Sequence, residues 1–223
     1  MKKNYFLFSV AIIATALLIS CGGKCDKNDP TSKCYEDPAL VDAGVVINGI
    51  KWATRNVDMP GTFAATPESS GMFYQWNRKI GWSSTNPIQN SNGGSTWDTS
   101  TPAGTSWTAA HNPCPQGWRV PTHDEQLTLL AEESVVSNEW TSQNSVNGIL
   151  FTDKVSNKKL FLPAVGRRLG SDGTLGSVGS SGLYWNSTQT DEFSAYYLYF
   201  RSDYADWFGT YRSYGLTVRC VAE

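Results

Sequence analysis

The sequence contains few histidines, and no Cys-x-x-C pair accompanies them. His111 and His123 are the two histidines among 223 residues. A serine-type catalytic triad needs a histidine beside its nucleophile, and His123 is expected at a helix start, where the helix dipole opposes its protonation. Structural zinc sites combine histidines with closely spaced cysteines. These absences favour a protein that is not an enzyme and that holds neither a metal nor a cofactor.

An excess of positive charge and a second long apolar run are also missing. The formal net charge is -2, and charged residues make up 17% of the chain. Nucleic-acid binding depends on clustered basic residues, so no nucleic-acid partner is expected. Apart from residues 6–19, no apolar run approaches the length of a membrane-spanning helix.

The first residues are typical of a bacterial lipoprotein. Two lysines precede the apolar run of residues 6–19, and residues 18–21 (Leu-Ile-Ser-Cys) resemble a lipobox. We interpret residues 1–20 as a signal peptide and Cys21 as the lipid-carrying residue. The polar, Gly-rich residues 21–44 are then a flexible tether to a domain at residues 45–223. Mixed charges after Cys21 resemble the export signals of Bacteroidetes lipoproteins, which favours the cell surface over the periplasmic face of the outer membrane.

Four cysteines remain besides Cys21, and an even number outside the cytoplasm favours disulfides. Three pairings are possible. We favour Cys114–Cys220, which would link the middle of the domain to its last strand, with Cys25–Cys34 paired locally in the tether. Closing so long a loop contributes roughly 4–5 kcal/mol in the chain-entropy model.

Local patterns predict an α+β domain of short antiparallel strands. Asn48-Gly49 lies between two apolar triplets, as in a hairpin with a type I′ turn. Residues 77–112 are polar and irregular, yet tryptophans interrupt them. Thr122 and Glu125 form a capping box, which predicts the main helix at about 122–134. Short strands separated by turns follow to the end of the chain.

Several motifs resemble the Fibrobacter succinogenes major paralogous domain family, in the order found there and over residues 45–223. The motifs are Ile-Lys-Trp-Ala-Thr-Arg-Asn-Val (50–57), Gly-Met-Phe-Tyr-Gln-Trp (71–76), Cys-Pro-Gln-Gly-Trp-Arg-Val-Pro-Thr (114–122), Leu-Pro-Ala-Val-Gly-Arg-Arg (162–168), Gly-Leu-Tyr-Trp-Asn-Ser-Thr (182–188) and Val-Arg-Cys-Val (218–221).

The resemblance implies a C-type lectin-like fold, which formylglycine-generating enzymes share, with twisted antiparallel sheets and long irregular loops. It also implies that Cys114–Cys220 matches a disulfide of that fold. Calcium-dependent lectins of the fold carry Glu-Pro-Asn or Gln-Pro-Asp and then Trp-Asn-Asp. This sequence has Asn-Pro-Ile at 86–88 and Trp-Asn-Ser at 185–187, so a calcium ligand is missing. We expect no calcium-bridged sugar site.

The aromatic residues are the best candidates for a ligand site. Nine tryptophans and ten tyrosines are many for a domain of this size. Indole and phenol rings beside carboxylates can stack on sugars or anchor a protein, although they can equally pin loops to the body. The candidate ligand-binding residues are Trp82, Trp97, Trp107, Asp203, Tyr204, Asp206 and Trp207.

Three functions remain open from the sequence. The first is a non-catalytic surface lipoprotein whose domain binds a glycan or a protein, with the lipid anchor as its only membrane contact. The second is a structural or adhesion subunit of an envelope assembly. An enzyme using the carboxylate pairs Asp191–Glu192 or Asp203–Asp206 comes third.

Overall fold

A computed structural model describes residues 37–133 and 135–223. The signal peptide, Cys21, the Cys25–Cys34 pairing and most of the tether lie outside the described residues. Fifteen strands occur in the described part of the chain. They are β1 (Val45–Ile47), β2 (Ile50–Trp52), β3 (Phe73–Tyr74), β4 (Gly81–Trp82), β5 (Trp118–Arg119), β6 (Val136–Gln143), β7 (Val146–Asp153), β8 (Lys159–Pro163), β9 (Arg167–Arg168), β10 (Leu175–Gly176), β11 (Ser181–Gln189), β12 (Ser194–Arg201), β13 (Tyr204–Tyr211), β14 (Leu216–Thr217) and β15 (Val221–Ala222).

The strands form four sheets within the described residues. The largest has six strands in the order β13–β12–β11–β14–β3–β4, and β13 lies at its edge. A four-stranded sheet has the order β1–β2–β15–β5, a three-stranded sheet the order β6–β7–β8, and β9 pairs with β10. Neighbouring strands are antiparallel except for the single parallel pairing of β11 with β14.

The expected α+β, C-type lectin-like arrangement with one main helix at 122–134 is wrong. The structure is mostly β, with 39% strand, several small sheets and one short helical segment. This segment consists of the α-helix α1 (His123–Leu127) and a 3-10 turn, Thr128–Leu130. A second 3-10 turn, Ala109–His111, lies in the long irregular region.

The predicted start of α1 is confirmed, but its length is not. The Thr122 hydroxyl accepts a hydrogen bond from the Glu125 N–H at 3.2 Å, and the Glu125 carboxylate accepts one from the Thr122 N–H at 2.8 Å. The Thr128 hydroxyl donates to the Glu125 carbonyl, a side-chain bond that competes with continued helix. Strand β6 already begins at Val136, so pairing with β7 takes over where the sequence predicted helix.

The Asn48-Gly49 turn and the Cys114–Cys220 disulfide are confirmed. Asn48 and Gly49 have φ angles of 46° and 81°, and β1 pairs with β2 across them. The Cys114–Cys220 disulfide joins positions 106 residues apart. It ties the segment before β5 to the segment before β15, which are neighbouring strands of one sheet.

The six-stranded sheet separates two hydrophobic cores, because consecutive residues of a strand point to opposite faces. Leu183 and Trp185 of β11 belong to one core, together with both disulfide cysteines. Tyr184, between them, belongs to the other core with Leu198 and Phe200 of β12. The second core also includes residues of β7 and β8, so the three-stranded sheet packs on that face.

Buried arginines hold the irregular loops to this body. Arg168 donates to the carbonyls of Thr85 and Gly173, and Arg212 donates to those of Pro102 and Gly104. In the structure backbone carbonyls dominate for Arg168, while Arg219 contacts the Asn56 amide and two carbonyls. Burial lowers the pKa of Arg219 to about 10, which leaves it charged at neutral pH.

Candidate functional site

The hairpin of β12 and β13 presents the largest group of exposed aromatic side chains. All eight residues of each strand are paired, from Ser194 with Tyr211 to Arg201 with Tyr204. Among the described residues, β13 pairs with β12 alone, so its outer edge is open. A paired strand holds its side chains in a fixed order, which makes this hairpin a rigid platform.

One side of the hairpin carries four aromatic rings, which we call the tyrosine face: Tyr197, Tyr199, Tyr204 and Phe208. The Phe208 ring lies 6.3 Å from Tyr197, 5.9 Å from Tyr199 and 6.1 Å from Tyr204. Tyr204 and Phe208 are 41% and 40% exposed, whereas the two tyrosines of β12 are half-buried. These rings form one continuous surface that a ligand can cover.

A carboxylate lies within the tyrosine face. Asp206 is paired across the strands with Tyr199 and accepts a hydrogen bond from the Tyr204 hydroxyl at 2.9 Å. This bond to Asp206 raises the pKa of Tyr204, so its phenol stays protonated at neutral pH. Asp206 also accepts the Trp207 N–H at 2.8 Å. The face therefore combines apolar rings with fixed polar groups.

The opposite side of the hairpin faces α1. Trp207 is 44% exposed, and its ring lies 5.2 Å from His123 and 5.4 Å from Tyr196. His123 stacks on Tyr196 at 4.2 Å. Burial lowers the pKa of His123, and the nearby Asp124 opposes this shift. Trp207 and Tyr204 were expected in one cluster, yet strand alternation places them on opposite faces.

Two of the candidate tryptophans are buried, which contradicts the expectation that they face outward. Trp82 and Trp97 are 3% and 8% exposed, and their rings lie 4.7 Å apart. The indole N–H of Trp97 donates to the Gly170 carbonyl at 3.2 Å. Both belong to a small core that includes Phe73 and Val165. They pin the irregular region to the sheet and are unavailable to a ligand.

The third loop tryptophan, Trp107, is half-buried against Trp76, with ring centroids 6.1 Å apart. It lines a cleft of about 280 Å³ near the start of α1, together with Arg119. Arg119 is already paired with Glu125, and this ion pair lowers the pKa of Glu125. The cleft thus contains an arginine that is already paired, and its one aromatic ring is that of the half-buried Trp107.

The carboxylate pairs do not face each other across a cleft. Asp203 is exposed and pairs with Arg201 at 2.9 Å, outside the ring surface. Asp191 accepts the N–H groups of Phe193 and Ser194, and these backbone hydrogen bonds lower its pKa. Asp191 and Asp203 thus interact within the turns where they lie, whereas Asp206 belongs to strand β13. No group of three or more metal-ligating side chains is gathered in the described residues.

The sequence interpretation missed Tyr197, Tyr199 and Phe208. The signal was present, since four of the five residues 196–200 are aromatic and aromatic residues recur at 204, 207 and 208. A period of two along each strand places every second ring on one face. The hairpin register, which brings the two sets together, comes from the structure.

Comparison with known proteins adds one partial match. A family model described as a domain of unknown function (DUF8237) matches residues 131–221, which is less than half of the chain. The matched stretch contains the whole β12–β13 hairpin. A search of the curated proteins found no match, and a search of the solved structures found none. No helix among residues 37–133 and 135–223 is long and apolar enough to cross a membrane.

Proposed function

We propose that this protein is a non-catalytic glycan-binding protein, anchored in the outer membrane through Cys21 and displayed at the cell surface. The binding surface is the tyrosine face. The observation that supports it is a set of four aromatic rings about 6 Å apart on a rigid hairpin, two of them about 40% exposed. Exposed aromatic clusters of this kind mark interaction sites.

The chemistry of the tyrosine face favours a glycan over an apolar protein segment. Sugar rings have apolar C–H faces that stack on aromatic rings and hydroxyls at their edges that need hydrogen-bond partners. The face offers three phenols, one phenyl ring and the Asp206 carboxylate, and aliphatic side chains are missing from it. The calcium triplets of lectins are absent from the sequence, so we propose binding without calcium.

The test uses the full-length protein in a sugar-free detergent on an array of neutral and acidic oligosaccharides, followed by titration of the strongest binder. Phe208→Ala should weaken binding about tenfold, since truncating a ring under a ligand removes about 1–2 kcal/mol. Trp207→Ala is the matched control, because this neighbouring residue has similar exposure on the opposite face. It should leave the affinity nearly unchanged, although loss of its ring contacts with His123 and Tyr196 should lower the melting temperature somewhat.

Two results would contradict the proposal. One is an array on which no oligosaccharide binds in the presence of EDTA, which removes calcium. The other is a binder whose affinity falls with Trp207→Ala and is unaffected by Phe208→Ala. Capture of a peptide in place of a glycan would assign the same face to a protein ligand.

A second function, a structural or adhesion subunit, is favoured by the open edge of β13. Tyr211 is 64% exposed and Phe193 is 52% exposed at one end of the hairpin. An open, apolar edge strand can accept a strand from another chain. Sedimentation velocity tests this function, since self-pairing predicts a mass that rises with protein concentration and glycan binding alone does not.

A further inference from the structure

One arginine beside the tyrosine face differs from all the others. Eight arginines lie in the described residues, and seven of them donate to an oxygen of a described residue. The seven are Arg55, Arg78, Arg119, Arg168, Arg201, Arg212 and Arg219. The side chain of Arg167 makes no hydrogen bond or ion pair with any described residue, and its Nε is buried without a partner.

Strand alternation explains why the Arg167 side chain lacks a partner in the described part of the chain while its neighbour has several. Arg168 points inward, where it is fully buried and satisfied by loop carbonyls. Arg167 points to the other side of β9 and is half-buried. Its guanidinium carbon lies 6.0 Å from the ring centroid of Tyr214. Nε is the one guanidinium nitrogen that is both buried and without a partner, and the two terminal nitrogens form no hydrogen bond with a described residue.

Arg167 adjoins the tyrosine face through Tyr197. Arg167 lies 6.0 Å from the ring centroid of Tyr214, and Tyr214 and Tyr197 pack against the same hydrophobic core. In agreement with this arrangement, burial raises the pKa of Tyr197 and the positive charge of Arg167 opposes the rise. The other groups that act on Tyr197 are the phenols of Tyr199 and Tyr214, and no carboxylate is among them. The one carboxylate of the face, Asp206, lies towards Tyr204. The Arg167 end of the surface is therefore cationic, while the Tyr204 end combines Asp206 with the Arg201–Asp203 ion pair.

From this arrangement we infer that the site selects glycans that carry a carboxylate, such as uronic-acid sugars, with Arg167 as the specificity-determining residue. The inference rests on the proposed glycan-binding function. A planar guanidinium with free terminal N–H groups matches the two oxygens of a carboxylate. The adjacent rings of Tyr197 and Phe208 would hold the sugar. Asp206 would repel the carboxylate, so the acidic group binds at the Arg167 end.

The experiment compares two probes with the same sugar backbone. Oligogalacturonate carries one carboxylate per sugar, and its methyl ester is neutral. Both are titrated against the full-length protein in a sugar-free detergent. The wild type should bind the free acid about tenfold tighter than the ester, as expected for a charge-assisted, bidentate contact. Arg167→Gln should remove this preference while leaving affinity for the ester unchanged.

Arg201→Gln is the matched control, because it removes a positive charge beside the same face from an arginine already paired with Asp203. Arg201→Gln should retain the preference for the free acid over the ester. If the preference came from general attraction of anions, Arg201→Gln and Arg167→Gln would reduce it equally. Since Arg167 has no described partner, Arg167→Gln should also melt at the wild-type temperature.

The outcomes separate this inference from the proposed function. If both probes bind and both are weakened by Phe208→Ala, but Arg167→Gln leaves the preference unchanged, the inference is overturned and glycan binding stands. Dextran sulfate carries sulfates in place of carboxylates. If it binds as tightly as oligogalacturonate and loses that affinity in Arg167→Gln, selectivity for a carboxylate is overturned. If no probe and no array glycan binds, the proposed function and the inference both fail.

Discussion

Removing the Cys114–Cys220 disulfide should lower the stability of the domain substantially. The bridge closes a loop of 106 residues, and both cysteines are buried. In the chain-entropy model a loop of that length contributes about 4.7 kcal/mol, because the cross-link restricts the unfolded chain. For a domain of this size, that corresponds to a fall of about 10–20 °C in melting temperature.

The assay is differential scanning calorimetry of the full-length protein, with and without a reductant. Cys114→Ala/Cys220→Ala removes the bridge and both thiols, whereas reduction of the wild type breaks the bridge and keeps the buried sulfur atoms. Comparing the two separates loss of the cross-link from loss of packing. Cys25→Ala/Cys34→Ala is the control for thiols outside the domain, and it should melt like the wild type.

A small effect would refute the reasoning. If reduction shifts the melting temperature by less than about 2 °C, the loop is already restricted in the unfolded state and the entropy argument fails. If Cys25→Ala/Cys34→Ala alone reproduces the shift, the stabilising link lies in the tether. Either result would show that the Cys114–Cys220 disulfide does not stabilise the sheets as argued.

Two further predictions concern aromatic residues. Trp97→Ala should lower the free energy of unfolding by about 3–5 kcal/mol, because it empties a buried site against Trp82. Urea denaturation measures this loss. A loss no larger than that of the exposed Trp207→Ala would show that the small core contributes little to stability. The second follows from His123, whose pKa lies below its ordinary value of 6.5 because burial favours the neutral ring stacked on Tyr196. Its stability contribution is present above pH 6.5 and is lost as the pH falls from there towards the folded pKa, since the unfolded state then binds the proton first. His123→Gln should therefore flatten the fall in melting temperature between about pH 7 and pH 5, and a pH profile parallel to the wild type would contradict this sign.

The features predicted correctly from the sequence are those that depend on a few neighbouring residues. The Asn48-Gly49 turn needs positive φ angles at two positions, and the capping box needs Thr122 and Glu125 three residues apart. The disulfide differs from these, because its cysteines are 106 residues apart: four cysteines allow three pairings, and the family resemblance implied this one. In each case the atoms involved are close in the chain, or few alternatives compete.

The predicted length of α1 and the predicted fold class were wrong. Both depend on contacts between distant residues, and local sequence patterns do not contain these contacts. Leucines after Glu125 suit a helix. In the structure, however, the 3-10 turn Thr128–Leu130 buries Leu129, and the chain then continues into strand β6. Helix propagation yields where strand pairing buries more surface. Short sheets that meet at two cores then produce a mostly β structure.

The sequence by itself determined that this chain is rich in aromatic rings, poor in histidine and basic charge, and equipped with strong signals for a turn and a helix start. Only the tertiary structure decided which rings are exposed. Trp82 and Trp97 lie in polar sequence yet are buried, while Tyr204 and Phe208 lie in a strand and face solvent. Exposure depends on which distant segments pack together, and for the hairpin it follows from an edge position in the six-stranded sheet. The same packing satisfied Arg168 and left the Arg167 side chain without a partner in residues 37–133 and 135–223, although the two are adjacent in the chain.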